Sequence, residues 1–131
     1  MKRTALFIGA AAGMLGVIAG AFGAHGLRQH VSPEMLGVWH TAAEYQMYHA
    51  LTLLVISRME RGTAVAAAAV WLFTAGIVLF SGSLYALVLT NGDAKWLGPV
   101  TPIGGVCFIL GWSALAWSAL HIEQRTSHIE H

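Results

Sequence analysis

Glu44 stands between two histidines, His40 and His49, in the stretch Trp39-His40-Thr41-Ala42-Ala43-Glu44-Tyr45-Gln46-Met47-Tyr48-His49-Ala50-Leu51-Thr52. Carboxyl and imidazole groups move protons and hold metals, so this stretch is the first place to look for chemistry. An ionisable group inside an apolar helix is a functional candidate by default. The simpler account of Glu44 is structural: a carboxyl bonded to tyrosine or serine hydroxyls, or reaching towards the membrane rim. Two histidines from different helices could ligate a haem. The depths fit poorly, because His49 falls near mid-membrane while His25 and His40 fall near the rim. His40 and Glu44 are neighbours on a helix, but they do not make the HExxH zinc signature. Neither a metal nor another cofactor is expected. Phe80-Ser81-Gly82-Ser83-Leu84-Tyr85 is not GxSxG, and no aspartate lies near to complete a triad. Ser81, Gly82 and Ser83 suit close packing and interhelical hydrogen bonds instead. No enzyme activity is expected.

The elements that position these residues follow from composition. Of 131 residues, 56% are hydrophobic and 10% charged, where a soluble domain has about a quarter charged. The mean hydropathy is +0.65. So few charges cannot cover a soluble surface, and the bilayer is the expected solvent. A net charge of +1 gives no basis for binding nucleic acid. The single Cys107 sits in an apolar run and reads as packing.

Four spans are expected, at about 4–26, 36–57, 64–90 and 100–120, forming one transmembrane domain over residues 1–122. Residues 123–131 read as a polar tail. The first run has a charged start like a signal peptide, but it is long enough to span. It also carries Gly9, Gly13, Gly16, Gly20 and Gly23, which fall within roughly 80° of a helix circumference. Such a stripe lets helices approach closely. Ser32-Pro33 reads as a capped start for the second helix. Arg58, Glu60, Arg61 and Gly62 form a basic turn, and Asn91-Gly92-Asp93 another turn. Residues 63–90 contain no charge at all. Pro102 suits the first turn of the fourth helix, and Gly104 and Gly105 are expected to approach the glycine stripe of the first span. Trp39, Trp96, Trp112, Trp117 and Trp71 read as interfacial anchors.

An up-and-down bundle brings the end of span 1, the start of span 2, the end of span 3 and the start of span 4 to one face. Thr41, Glu44, Tyr45, Tyr48, His49 and Thr52 fall within about 140° of arc. That polar face is expected to look inward, towards Ser81, Ser83 and Tyr85, because intramembrane charges usually avoid lipid. The candidate polar site is therefore Glu44, His49, Tyr45, Tyr48, His25, Ser81, Ser83, Tyr85 and Thr101. The packing set is the five glycines of span 1 with Gly82, Gly104 and Gly105.

Four blocks, GAFGAHGL (20–27), YQMYHAL (45–51), FSGSLY (80–85) and TPIGG (101–105), resemble the signature blocks of the domain of unknown function 423 family. These are small bacterial inner-membrane proteins of the YgdD/YwdK kind, with mitochondrial relatives. The resemblance implies four membrane helices and an inner-membrane location, and it carries no catalytic residues. Five of the seven basic residues, Lys2, Arg3, Arg58, Arg61 and Arg125, lie on the terminal side, which places both termini in the cytoplasm. The expected role is an accessory or assembly component, partnered by lipid and by itself or other membrane proteins. The alternative is an oligomeric transporter using Glu44 and His49 for protons or a small solute.

Overall fold

The computed structural model describes residues 1–59 and 64–127, the last six of these by backbone alone. Four helical rods run up and down, and no strand occurs among the described residues. The first, α1, is Lys2–Phe22 and continues through a π-turn, Gly23–Leu27. The second, α2, is Pro33–Arg58. The third rod is α3, Ala64–Gly76, a second π-turn, Ile77–Ser81, and α4, Gly82–Leu89. The fourth, α5, is Val100–Ser127, entered by a 3-10 turn, Lys95–Leu97.

Local chemistry sets these boundaries. Ser32 Oγ accepts from the Met35 amide at 3.2 Å, and Pro33 fills the first helical position. Asn91 and Gly92 turn the chain with φ of 57° and 83°, where a side chain is strained and glycine is not. Pro102 stands in the first turn of α5. The fourth helix continues past the expected span end near 120 to Ser127, so part of the expected tail is helical. Residues 128–131, and Glu60, Arg61 and Gly62 of the expected basic turn, lie outside the described residues.

Three rods are long and apolar enough to cross a membrane: Lys2–Leu27, Ala64–Leu89 and Lys95–His121. Their outer surfaces are bare hydrocarbon, with Phe7, Val17, Val78 and Ile109 each more than 60% exposed. Water would not tolerate this, whereas lipid does. By contrast, α2 has the length but not the composition. It runs antiparallel to α1, with Trp39 against Ala19, Gln46 against Ala12 and Ala50 against Gly9. Its other side lies on the third rod. Ala42, Ala43, Ala50 and Leu53 are buried on this inward side. Small side chains there let both neighbours come close.

The third and fourth rods join by a reciprocal ladder. Phe73 of α3 packs into Gly111 of α5, where a Cβ would come within 2.8 Å of the ring. Phe108 of α5 packs into Gly76 of α3. Next, Gly104 lies against the backbone of Phe80, and Ser83 meets Thr101 at the end of the row. Each large ring fills the gap left by a glycine on the facing helix, which maximises contact where no hydrophobic drive separates helix from lipid.

Two packing expectations need correcting. Gly104 and Gly105 do not approach the stripe of span 1; Gly104 serves the third rod, and Gly105 lies 3.9 Å from the Phe80 ring by the same measure. The reason is connectivity: α5 packs on α3 and its π-turn, while α1 rests chiefly on α2. Within the stripe, Gly9, Gly16 and Gly23 take the contact with Leu53, Met47 and Trp39, whereas a Cβ on Gly13 or Gly20, or on Gly82 of the third rod, would meet nothing within 4 Å. Gly104→Ala is therefore expected to lower stability by about 1–3 kcal/mol, with Gly82→Ala near neutral. Reversible unfolding of both variants in mild detergent checks this, and equal stability would contradict the ladder.

Candidate functional site

A belt of side-chain hydrogen bonds crosses the rods between two apolar clusters. One cluster is Ala5, Leu53, Ile56, Ala69, Val70, Phe73 and Phe108. The other is Leu27, Trp39 and Val88. In the belt, the Gln46 amide of α2 donates to the Ala12 carbonyl of α1 at 2.8 Å. Its Oε1 accepts from the Tyr85 hydroxyl of α4 at 2.7 Å. One buried side chain thus ties three helices. Ser81 donates to the Ala42 carbonyl at 2.7 Å, across the same seam. Ser83 donates to the Phe80 carbonyl at 2.9 Å, which leaves the Thr101 hydroxyl to donate to Ser83 at 2.6 Å. The Ala19 carbonyl accepts from the Trp39 indole at 2.7 Å. No buried side-chain nitrogen or oxygen among the described residues lacks a partner. In hydrocarbon, where an unpaired polar group is costly, this completeness is what a structural lock requires.

His49 has the roles of both its nitrogens fixed by geometry. The Trp112 indole, which can only donate, points at Nε2 at 3.1 Å. Nδ1 must then carry the proton and donate to the Tyr45 carbonyl at 2.6 Å. The ring stacks on Phe108 with centroids 3.6 Å apart and planes 8° from parallel. A metal or haem iron could use His49 only after one of these bonds broke. Among the described residues no three His, Cys, Asp or Glu side chains gather as metal ligands.

Beside His49 an open groove of about 540 Å³ lies between α2 and α5. Tyr45, Tyr48, Phe80, Phe108 and Trp112 line it. Its walls are almost wholly aromatic, and the Tyr45 and Phe80 rings lie 4.7 Å apart.

The structure divides the residues singled out from sequence into three groups. Ser81, Ser83, Tyr85 and Thr101 join the lock. Tyr45, Tyr48 and His49 border the groove. Glu44 and His25 stand apart from both, exposed on the surface of the protomer. The polar face of α2 therefore does not point inward as a unit. Its Glu44 side faces out, and Ala42 and Gln46 meet Ser81 and Tyr85 instead. Ala42, Ala43 and Ala50 lie on the inward side, where their small side chains let the neighbouring helices come close, together with Trp39, Gln46 and Leu53. Gln46 was missed because it lies about 200° around the helix from Glu44. Its place in a row with Trp39, Ala42, Ala43, Ala50 and Leu53 was the available signal. Trp39 is not an anchor, being 5% exposed and bonded to α1, while the half-exposed Trp112 turns its indole to His49.

A family model described as "Protein of unknown function (DUF423)" matches residues 19–105. The chain belongs to the DUF423 family. A UPF0382 membrane protein of Staphylococcus aureus (strain bovine RF122 / ET3-1) is 51% identical over 111 residues, covering 84% of this chain and 89% of that protein. One of Staphylococcus epidermidis (strain ATCC 12228 / FDA PCI 1200) is 47% identical over 116 residues, covering 88% and 93%. UPF0382 membrane protein YwdK of Bacillus subtilis (strain 168) is 45% identical over 118 residues, covering 88% and 94%. No solved structure matches the chain. It is a membrane protein of a family whose function is unknown. The DUF423 match takes in Gln46, Tyr85, Ser83 and Thr101, while Phe108 and Trp112 lie beyond it.

Replacing Gln46 with leucine removes the two bonds it makes in the lock, with an expected cost of about 1–2 kcal/mol, and Tyr85→Phe about half that. In a double-mutant cycle the two should couple by about 0.6 kcal/mol. Additive effects in denaturant titrations would contradict the bond. For His49, nitrogen NMR of the labelled ring is expected to show Nδ1 protonated and Nε2 bare, and Trp112→Phe should shift the Nε2 resonance. A proton on Nε2 in the wild type would overturn the assignment.

Proposed function

We propose that the protein is a small accessory or assembly component of a larger complex in the bacterial inner membrane, joined through the outward face of α2. In this reading all four rods cross, α2 being carried by its neighbours, and the basic residues hold both termini in the cytoplasm. It is not an enzyme.

One observation carries the proposal. Glu44 lies eleven residues after Pro33 and fourteen before Arg58, near the middle of α2. At 1.5 Å per residue it is on the order of 16 Å from the nearer end, beyond easy reach of the interface. Yet its side chain is exposed, and no described residue of the protomer bonds to it. A carboxyl facing lipid at that depth costs about 3 kcal/mol on insertion scales. A surface laid over α2 removes that cost by supplying a hydrogen bond. The transporter reading is weaker: Glu44 and His49 lie about 140° apart on α2, and His49 already uses both nitrogens.

Extraction from native membranes in mild detergent tests the proposal. The native mass should be at least double the 14.0 kDa of one chain. Glu44→Leu should fall to protomer size while keeping its helical signal. A wild type that runs as a single chain would count against assembly.

A further inference from the structure

Six residues of α2, Gly37, His40, Glu44, Tyr48, Leu51 and Val55, are exposed. They fall within about 80° of arc, so they form one stripe along the helix. At one end Gly37 is open, with nothing within 4 Å of where a Cβ would be. At the other end Leu51 and Val55 are apolar, 54% and 64% exposed. Between them stand His40, then a hydrogen-bond acceptor, Glu44, and a donor, the Tyr48 hydroxyl. Tyr48 is 55% exposed, and no described residue of its own protomer bonds to its hydroxyl.

This acceptor and donor lie within about one helical turn of each other. Helical side chains lean towards the N-terminus, over the preceding turn. Tyr48 is one turn after Glu44; both side chains lean the same way, but the longer tyrosine reaches farther back, so its hydroxyl comes nearer the depth of the Glu44 carboxyl than the roughly 6 Å between the two backbone levels. Two copies inserted the same way lie parallel, with equal residues at equal depths. A two-fold axis along the membrane normal then sets the Tyr48 hydroxyl of each copy beside Glu44 of the other. The contact is isologous, made twice from one patch, and closes as a dimer. No lysine or arginine stands on the stripe: Arg28 and Arg58, the nearest in sequence, lie at the ends of α2 or beyond.

We infer that the surface covering α2 is a second copy of this chain, α2 against α2 in parallel, with each Glu44 carboxyl accepting a hydrogen bond from the partner's Tyr48. This rests on the reading of α2 as the docking face and names the partner. Gly37 allows the axes to converge at one rim, and Leu51 and Val55 pack at the other.

Cysteine cross-linking in native membranes tests it. In a Cys107→Ala background, Leu51→Cys and Val55→Cys each present one thiol on the stripe. A mild oxidant should link both into dimers of twice the protomer mass. Val78→Cys and Leu110→Cys, exposed on the third and fourth rods, should stay single. In lipid-dilution measurements by energy transfer, Glu44→Leu combined with Tyr48→Phe should weaken dimerisation about tenfold. Glu44→Gln, which still accepts, should retain it within about threefold. Since all these positions are exposed, folding is checked by the helical signal of each variant. Equal cross-linking at all four positions would overturn the inference. A large native complex with no self-linking on the stripe would also overturn the second copy, yet leave the assembly reading standing. A protein that is a single chain by both measurements would overturn both.

Discussion

The bundle depends on one buried amide. Gln46 sits where water cannot reach, so its donor and acceptor must find protein partners. It finds them on different helices, the Ala12 carbonyl of α1 and the Tyr85 hydroxyl of α4. Sliding either helix by one turn would move its partner by about 5.4 Å and break the bond. A single side chain therefore fixes the register of three rods. Ser81 on the Ala42 carbonyl and Trp39 on the Ala19 carbonyl repeat the device on either side. Such bonds are modest singly, but in lipid their alternatives are worse.

The other joint of the molecule works without polarity. Between the third and fourth rods, Phe73, Phe108 and Phe80 lie against Gly111, Gly76 and Gly104. The gain there is dispersion contact between closely spaced backbones. Between α2 and α5 the contact is aromatic: His49 stacks on Phe108 and accepts from Trp112. The groove opens beside this bridge, where long side chains rather than close backbones span the gap.

The rods were legible in the sequence because their causes are local or cumulative. The uncharged run at 63–90, the Ser32-Pro33 start and the Asn91-Gly92 turn each fix an element without tertiary information. The orientation of α2 was not legible from its polar residues. Thr41, Glu44, Tyr45, Tyr48, His49 and Thr52 suggested an inward face; His49 and Thr52 are buried, but α2 turns its alanines inward and leaves Glu44, Tyr45 and Tyr48 exposed. In a membrane the hydrophobic pattern no longer separates inside from outside, so residue volume is the better guide. The glycines show the limit of that guide. Gly104 was recognisable as a contact residue, but its partner depended on which rods are neighbours, and no residue type declares that.

Glu44 is the place where the two rules for membrane helices disagree. Volume turns it outward, and electrostatics forbids it there alone. Within one chain the conflict has no resolution: turning α2 about its axis to bury Glu44 would take Gln46 from Ala12 and Tyr85. The bonds made by Gln46 therefore hold Glu44 on the outside. On the assembly reading proposed above, an inner lock that leaves a carboxyl exposed at mid-helix makes the single chain incomplete. Under the inferred pairing, Tyr48 on the same surface one turn away is the donor for that carboxyl, so the constraint that turns Glu44 outward would also make the outer face self-complementary.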